Sequence, residues 1–223
     1  MPRIGDFVDA VEPVSPETPG SVVFDRFQNE PNTLAIAVVD PEGRPLGLIE
    51  RNAFTLKMAA EFGRALYARA VEQSRAPALY ADLRVPDTVE GRFELYTLHV
   101  VVLLDRLRRQ SPRAAETAQA LFDTYVSALD HALREMGVGD LSVGKKMRRL
   151  GEAFFGRVKS YEAAFQALPE TAELKAVIAR TVYAEGDPAH APALAAYASR
   201  QRTVLAGQAL EALLEGRVDW VAP

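Results

Sequence analysis

The chain contains no cysteine, which excludes disulfides, thiolate metal sites and cysteine nucleophiles together. Histidine is scarce: His99, His131 and His190 stand alone, without a second ligand at helical spacing, so no histidine–carboxylate metal site is legible. An excess of positive charge is also missing. Twenty-six lysines and arginines face 30 aspartates and glutamates, for a net charge of −4 and a pI near 5.5. No global basic field draws DNA or a membrane surface, so any basic site must be local. Long apolar runs are absent too. Leu95–Leu104 is interrupted by Thr97 and His99, and covers only about half of the roughly 20 residues that span a bilayer. Met1–Asp6 lacks a charged segment followed by an apolar one, so no signal peptide is expected and the chain reads as cytoplasmic.

What is present divides near residue 65. The first part reads β-α-β-β-α. Val11–Val14 is a short β-branched run, and Ser15-Pro16-Glu17-Thr18 offers helix-start chemistry before a helix over Pro19–Asn29. Leu34–Asp40 and Pro45–Glu50 read as strands around a turn, and a helix begins near Asn52. From about residue 66 the periodicity is helical. Helices are expected over 64–76, 88–110, 112–136, 142–167, 170–184 and 189–215, with a turn at 77–83. The expected class is mainly α: an α/β segment over 1–63, then an all-α domain over 64–223. Trp220, the only tryptophan, should anchor a folded-back tail.

The run FELYTLHVVVLLDRL is apolar nearly all round, as in the buried middle of a bundle. His99 inside it reads as a hydrogen-bonded core residue, not a ligand. The following helix carries a core stripe through Phe122, Tyr125, Leu129, Leu133 and Met136, with Asp123 and Asp130 on a solvated flank. Arg134 stands four residues after Asp130, the favourable order for an ion pair. Gly139 to Lys145 has the spacing G-x-x-x-x-G-K, but Lys146 stands where a phosphate loop needs Ser or Thr, and a helix precedes instead of a strand. Gly137, Gly139 and Gly144 are therefore structural. Gly137 suits a left-handed C-cap and Gly139 a tight turn, with Asp140 or Ser142 capping the next helix.

That next helix starts strongly basic. Cations are disfavoured near a helix N-terminus, where the dipole is already positive. Lys145, Lys146, Arg148 and Arg149, with Arg157 further along, thus read as binding residues for an acidic protein surface, ribosomal RNA or anionic membrane. The competing reading is a solvated face. Gly151 and Gly156 cost about 1 kcal/mol each against alanine, which suggests close helix approach or contact with a partner backbone. Neither a catalytic constellation nor a cofactor motif is present, so a non-enzymatic role without cofactors is expected.

Two resemblances follow from these residues. VVDPEGRPLGLIERNAF, within roughly residues 3 to 62, resembles a single CBS motif. In that family paired clefts often bind adenine nucleotides, which would make this a ligand-sensing regulatory protein. Here Glu50 and Ala53 replace the usual hydroxyl and ribose-binding Asp, so a packing or homodimerisation module is favoured. The segment from Leu66 to Tyr161 resembles the ubiquinol–cytochrome c chaperones. The supporting pieces are LYARAVEQSRAPALYADLRVPDTVEGRFELYTLHVVVLLDRL, then QALFD, then LREMGVGDLSVGKKMRRLGEAFFGR. This resemblance implies an all-α assembly factor for the bc1 complex that binds newly made cytochrome b or assembly intermediates. It also implies a contact with the ribosome and a peripheral place at the cytoplasmic face of the inner membrane.

Overall fold

The computed structural model describes residues 11–223, apart from the side chains of Asp140 and Leu141. The readings of Met1–Asp6 and of the start of the CBS-like segment lie outside the described residues. The chain is mainly α, 67% helical, with nine α-helices among the described residues and a two-stranded sheet before the helical region. It divides into two compact units, Met1–Ala60 and Glu61–Pro223.

In the first unit, helix α1 (Gly20–Asn29) precedes antiparallel strands β1 (Ala35–Val39) and β2 (Pro45–Glu50). The Val11–Val14 strand narrows to one parallel bridge, in which the Val14 amide donates to Ala37 O and its carbonyl accepts from Val39 N–H, both at 2.9 Å. The Ser15–Thr18 chemistry closes a turn (Ser15 N–H to Thr18 Oγ1, 3.1 Å) and does not cap α1. Between the strands the Asp40 carboxylate accepts from the amides of Glu42 and Arg44 at 3.0 and 2.8 Å. Gly43 supplies the positive φ that this turn requires. Ile36 faces Ile49 across the strands and buries itself against Val23 and Phe27. Leu46 and Leu48 on β2 stay exposed. Helix α2 (Arg51–Ser74) starts directly after β2 and runs through the boundary without a break.

The second unit continues through α3 (Pro77–Ala81), α4 (Val89–Leu107), α5 (Pro112–Glu135), α6 (Asp140–Gln166), α7 (Ala172–Arg180), α8 (Ala191–Gly207) and α9 (Leu210–Leu214). Side-chain caps fix two starts: the Thr88 and Ser111 hydroxyls accept the amides of Gly91 and Ala114, each at 3.1 Å. Helix α4 is the core element. Its Leu95, Leu98, Val100 to Leu103 and Leu107 are all buried, and it packs against α5, α6 and α8. Burial of such side chains stabilises by about 1.5–3 kcal/mol each, which explains why this run tolerates no polar face.

Several boundaries differ from the sequence expectation. The helix expected over 189–215 divides into a 3-10 turn (Pro188–His190), α8 and α9. Gln208 leaves helical geometry because both ends of its amide bond Asp219, at 2.7 and 3.0 Å, while Arg106 takes the carbonyls of Leu205 and Gln208. The helix expected to reach residue 184 ends at Arg180. The expected turn at 77–83 contains α3.

The glycines separate into two kinds. At Gly63 a Cβ would sit 2.6 Å from the backbone of Ala120 and Leu121, so its absence lets α2 cross α5 closely. Gly151 and Gly156 have nothing within 4 Å, so close helix approach does not explain them. Gly151→Ala is expected to stabilise the fold by about 1 kcal/mol, and Gly63→Ala to destabilise it by about 1–3 kcal/mol through overpacking. Urea unfolding of both variants checks this. Equal shifts of the same sign would contradict it.

Candidate partner-binding surface

Helix α5 ends in the left-handed cap that its glycine allows. Gly137 has φ 80°, its amide donates to Arg134 O at 2.9 Å, and Val138 N–H donates to Leu133 O at 3.0 Å. This paired arrangement is the Schellman motif, and it satisfies carbonyls that the helix end would otherwise orphan. Gly139 has negative φ and occupies the N-cap position of α6, so the helix starts earlier than a cap at Asp140 or Ser142 would place it. The G-x-x-x-x-G-K stretch thus leads from helix to helix. Gly144 lies inside α6 in open space.

This boundary changes the meaning of the basic cluster. With α6 beginning at Asp140, Lys145 and Lys146 fall in its second turn and Arg148 and Arg149 in its third. The dipole effect fades beyond the first turn, so the helix end imposes little penalty on these cations. Their distinguishing property is different. All four are exposed, and among the described residues none forms an ion pair.

Arg157 is arranged otherwise. Its guanidinium grips the Glu94 carboxylate in a fork, with contacts of 2.7, 3.0 and 3.1 Å, and the Glu94 side chain is only 8% exposed. The Glu94 hydrogen bond raises the arginine pKa further, so the guanidinium stays charged. Arg157 therefore locks α6 to α4, and the four cations before it ride on that anchored helix. Asp130 and Arg134 form the ion pair their spacing suggests, at 2.7 Å. Phe155 is left 61% exposed beside Phe122, with ring centres 5.6 Å apart.

His99 is fully buried and bonded at both ring nitrogens, to Leu95 O and Tyr197 Oη, each at 2.8 Å. A carbonyl can only accept, so Nδ1 carries the proton and Nε2 accepts the tyrosine hydroxyl. Burial holds the imidazole near a pKa of about 4, hence neutral. Tyr197 also accepts from Gln73, which donates to Val221 O as well. Gln201 binds Val221 from the other side, and the Trp220 indole donates to Arg69 O at 3.1 Å. The core histidine and the folded-back tail thus form one polar network, a linkage not legible in the sequence.

The CBS-like segment carries its own anion at the start of α2. The Glu50 carboxylate accepts the amides of Asn52 and Ala53 at 3.2 and 3.0 Å. These are the donors a phosphate would need. Arg51 meanwhile donates to the carbonyls of Phe27, Glu30 and Thr33, closing the end of α1.

Among the described residues no helix is long and apolar enough to cross a membrane. The family model described as "Ubiquinol-cytochrome C chaperone" matches residues 81–220, which include α4 to α9 and therefore the basic turns of α6. No curated protein matches the chain. Among solved structures, a Cbp3 homolog from Brucella abortus is similar at 33% identity and a TM-score of 0.68. The likeness covers 74% of this chain and 92% of that one. The chain belongs to the ubiquinol–cytochrome c chaperone family.

Proposed function

We propose that this protein is a non-enzymatic assembly factor of the cytochrome bc1 complex that binds newly made cytochrome b or an assembly intermediate containing it. The observation that carries the reading is the family match over residues 81–220. Lys145, Lys146, Arg148 and Arg149, exposed on an anchored helix and without an ion pair among the described residues, supply a physical means of binding an acidic partner surface. In this reading Arg157 positions that helix through Glu94, and Gly137, Gly139 and Gly144 shape the turn and the first turns of α6 before it. The protein works at the cytoplasmic face of the inner membrane, peripherally attached, and meets its client near the ribosome.

The N-terminal 1–63 segment serves as a packing or homodimerisation module, and 64–223 as the chaperone domain. Its exposed Leu46 and Leu48 support homodimerisation through β2, which light scattering of the whole chain reads directly; a monomer at all concentrations refutes it. Adenine nucleotide control gains no support, because Glu50 already fills the α2 amides.

The test is affinity capture from detergent-solubilised membranes that contain the bc1 complex. Cytochrome b should be enriched over a mock bait. Recovery equal to the mock would sink the proposal.

A further inference from the structure

The ends of α4, α5 and α6 leave an open groove of about 330 Å³. Its walls are Phe93 and Tyr96 of α4, Leu129 and Leu133 of α5 with Met136 at its C-cap, and Leu150 of α6. At its mouth Val89 and Met136 are 64% and 58% exposed. Single apolar side chains in water are common, but two beside a concave apolar wall mark a surface that gains by being covered.

The rim narrows the choice of occupant. Lys146 precedes Leu150 by one helical turn and therefore lies on the same face of α6. It is exposed and without an ion pair among the described residues. At the other end the groove shares Arg92 and Tyr96 with a polar recess containing Arg75 and Tyr80. Arg75 has no carboxylate partner there; it donates to Tyr96 Oη at 3.0 Å. Asp87, the acid of that recess, is paired with Arg92 at 2.6 Å, which leaves Glu90 as the one acid along the walls without an ion pair among the described residues. Lys146 and Arg75 are thus the cations without a carboxylate partner among the described residues at the two ends of an apolar trough, against the one acid Glu90.

We propose that this groove receives an apolar helix of the client, one whose apolar stripe is flanked by acidic residues. This rests on the reading above that the client is a newly made membrane protein. The walls themselves exclude an extended peptide: they are helix flanks whose backbone groups are already bonded, so they offer no strand edge. A concave trough also fits a helix better than the flat surface of a bilayer. Met136, soft and unbranched, lets the mouth adjust to different side chains.

The test uses the full chain and two synthetic leucine–alanine helices, one ended with glutamates and one with lysines. The glutamate-ended helix should bind about tenfold more tightly. Met136→Glu and Ala132→Trp, both at exposed positions, should each weaken it about tenfold while leaving thermal unfolding unchanged. Equal binding of both helices, or of both variants and the unaltered chain, overturns the proposal. So does binding of anionic phospholipid vesicles in place of the peptide, if Met136→Glu abolishes it. Cytochrome b capture separates the two readings. If Met136→Glu captures it undiminished, the groove assignment fails and the chaperone reading stands. If the unaltered chain captures none, the chaperone reading itself fails.

Discussion

Replacing Lys145, Lys146, Arg148 and Arg149 together by glutamate is expected to weaken capture of cytochrome b about a hundredfold. Exposed ion pairs contribute about 0.2–1 kcal/mol each. Losing four of them and introducing repulsion amounts to about 3 kcal/mol, a factor of about a hundred. The fold should not suffer. None of the four makes an ion pair among the described residues, and all point to solvent. Capture by the unaltered chain should weaken as salt rises, because such contacts are screened beyond about 10 Å at 0.1 M. The measurement is quantitative pull-down alongside thermal unfolding. Undiminished capture would show that the cationic turns form only a solvated face. A fall in capture with a fall in stability would assign them a structural role instead.

The second large effect concerns acid. Unfolded, His99 titrates near 6.5, whereas in the fold its burial holds it at about 4. Below 6.5 the unfolded chain takes up a proton that the folded chain refuses. Stability from this residue is therefore complete above 6.5 and falls as the pH drops towards 4, by about 3 kcal/mol in all. Among the described residues no carboxylate bonds the ring; its partners are a carbonyl, a hydroxyl and the rings of Tyr197 and Trp220. Urea unfolding at pH 7 and pH 5 should show a loss of about 2 kcal/mol that His99→Gln removes. The same loss in the variant would assign the acid sensitivity elsewhere. Because the Tyr197–Gln73–Val221 network leans on the neutral ring, the loss should coincide with exposure of Trp220, visible in its fluorescence.

How far these features could be read in advance depended on their range along the chain. The left-handed cap at Gly137 is local, and so is the Asp130–Arg134 pair; both follow from residue type and spacing. The burial of α4 follows from composition alone, since an all-round apolar run has nowhere else to go. The α6 start lies earlier than residue type suggests because a glycine N-cap leaves no side-chain signature, so the basic cluster sits further from the helix end than its sequence implies. Arg157 looked free because Glu94 lies 63 residues earlier, on another helix. The groove was hidden for the same reason, since its walls come from three helix ends far apart in sequence. Gln208 broke a helix that propensity favours because Asp219 and Arg106 compete for its polar groups. In each case a tertiary partner overrode a local preference.

Deletion of the gene tests whether this chain serves assembly of the bc1 complex. Native electrophoresis and difference spectra of the deletion strain's membranes should show assembled bc1 complex and cytochrome b lost, with other respiratory complexes unchanged. The unaltered gene should restore them, and the four-glutamate variant should not. Normal amounts of assembled bc1 complex in the deletion strain would contradict the account.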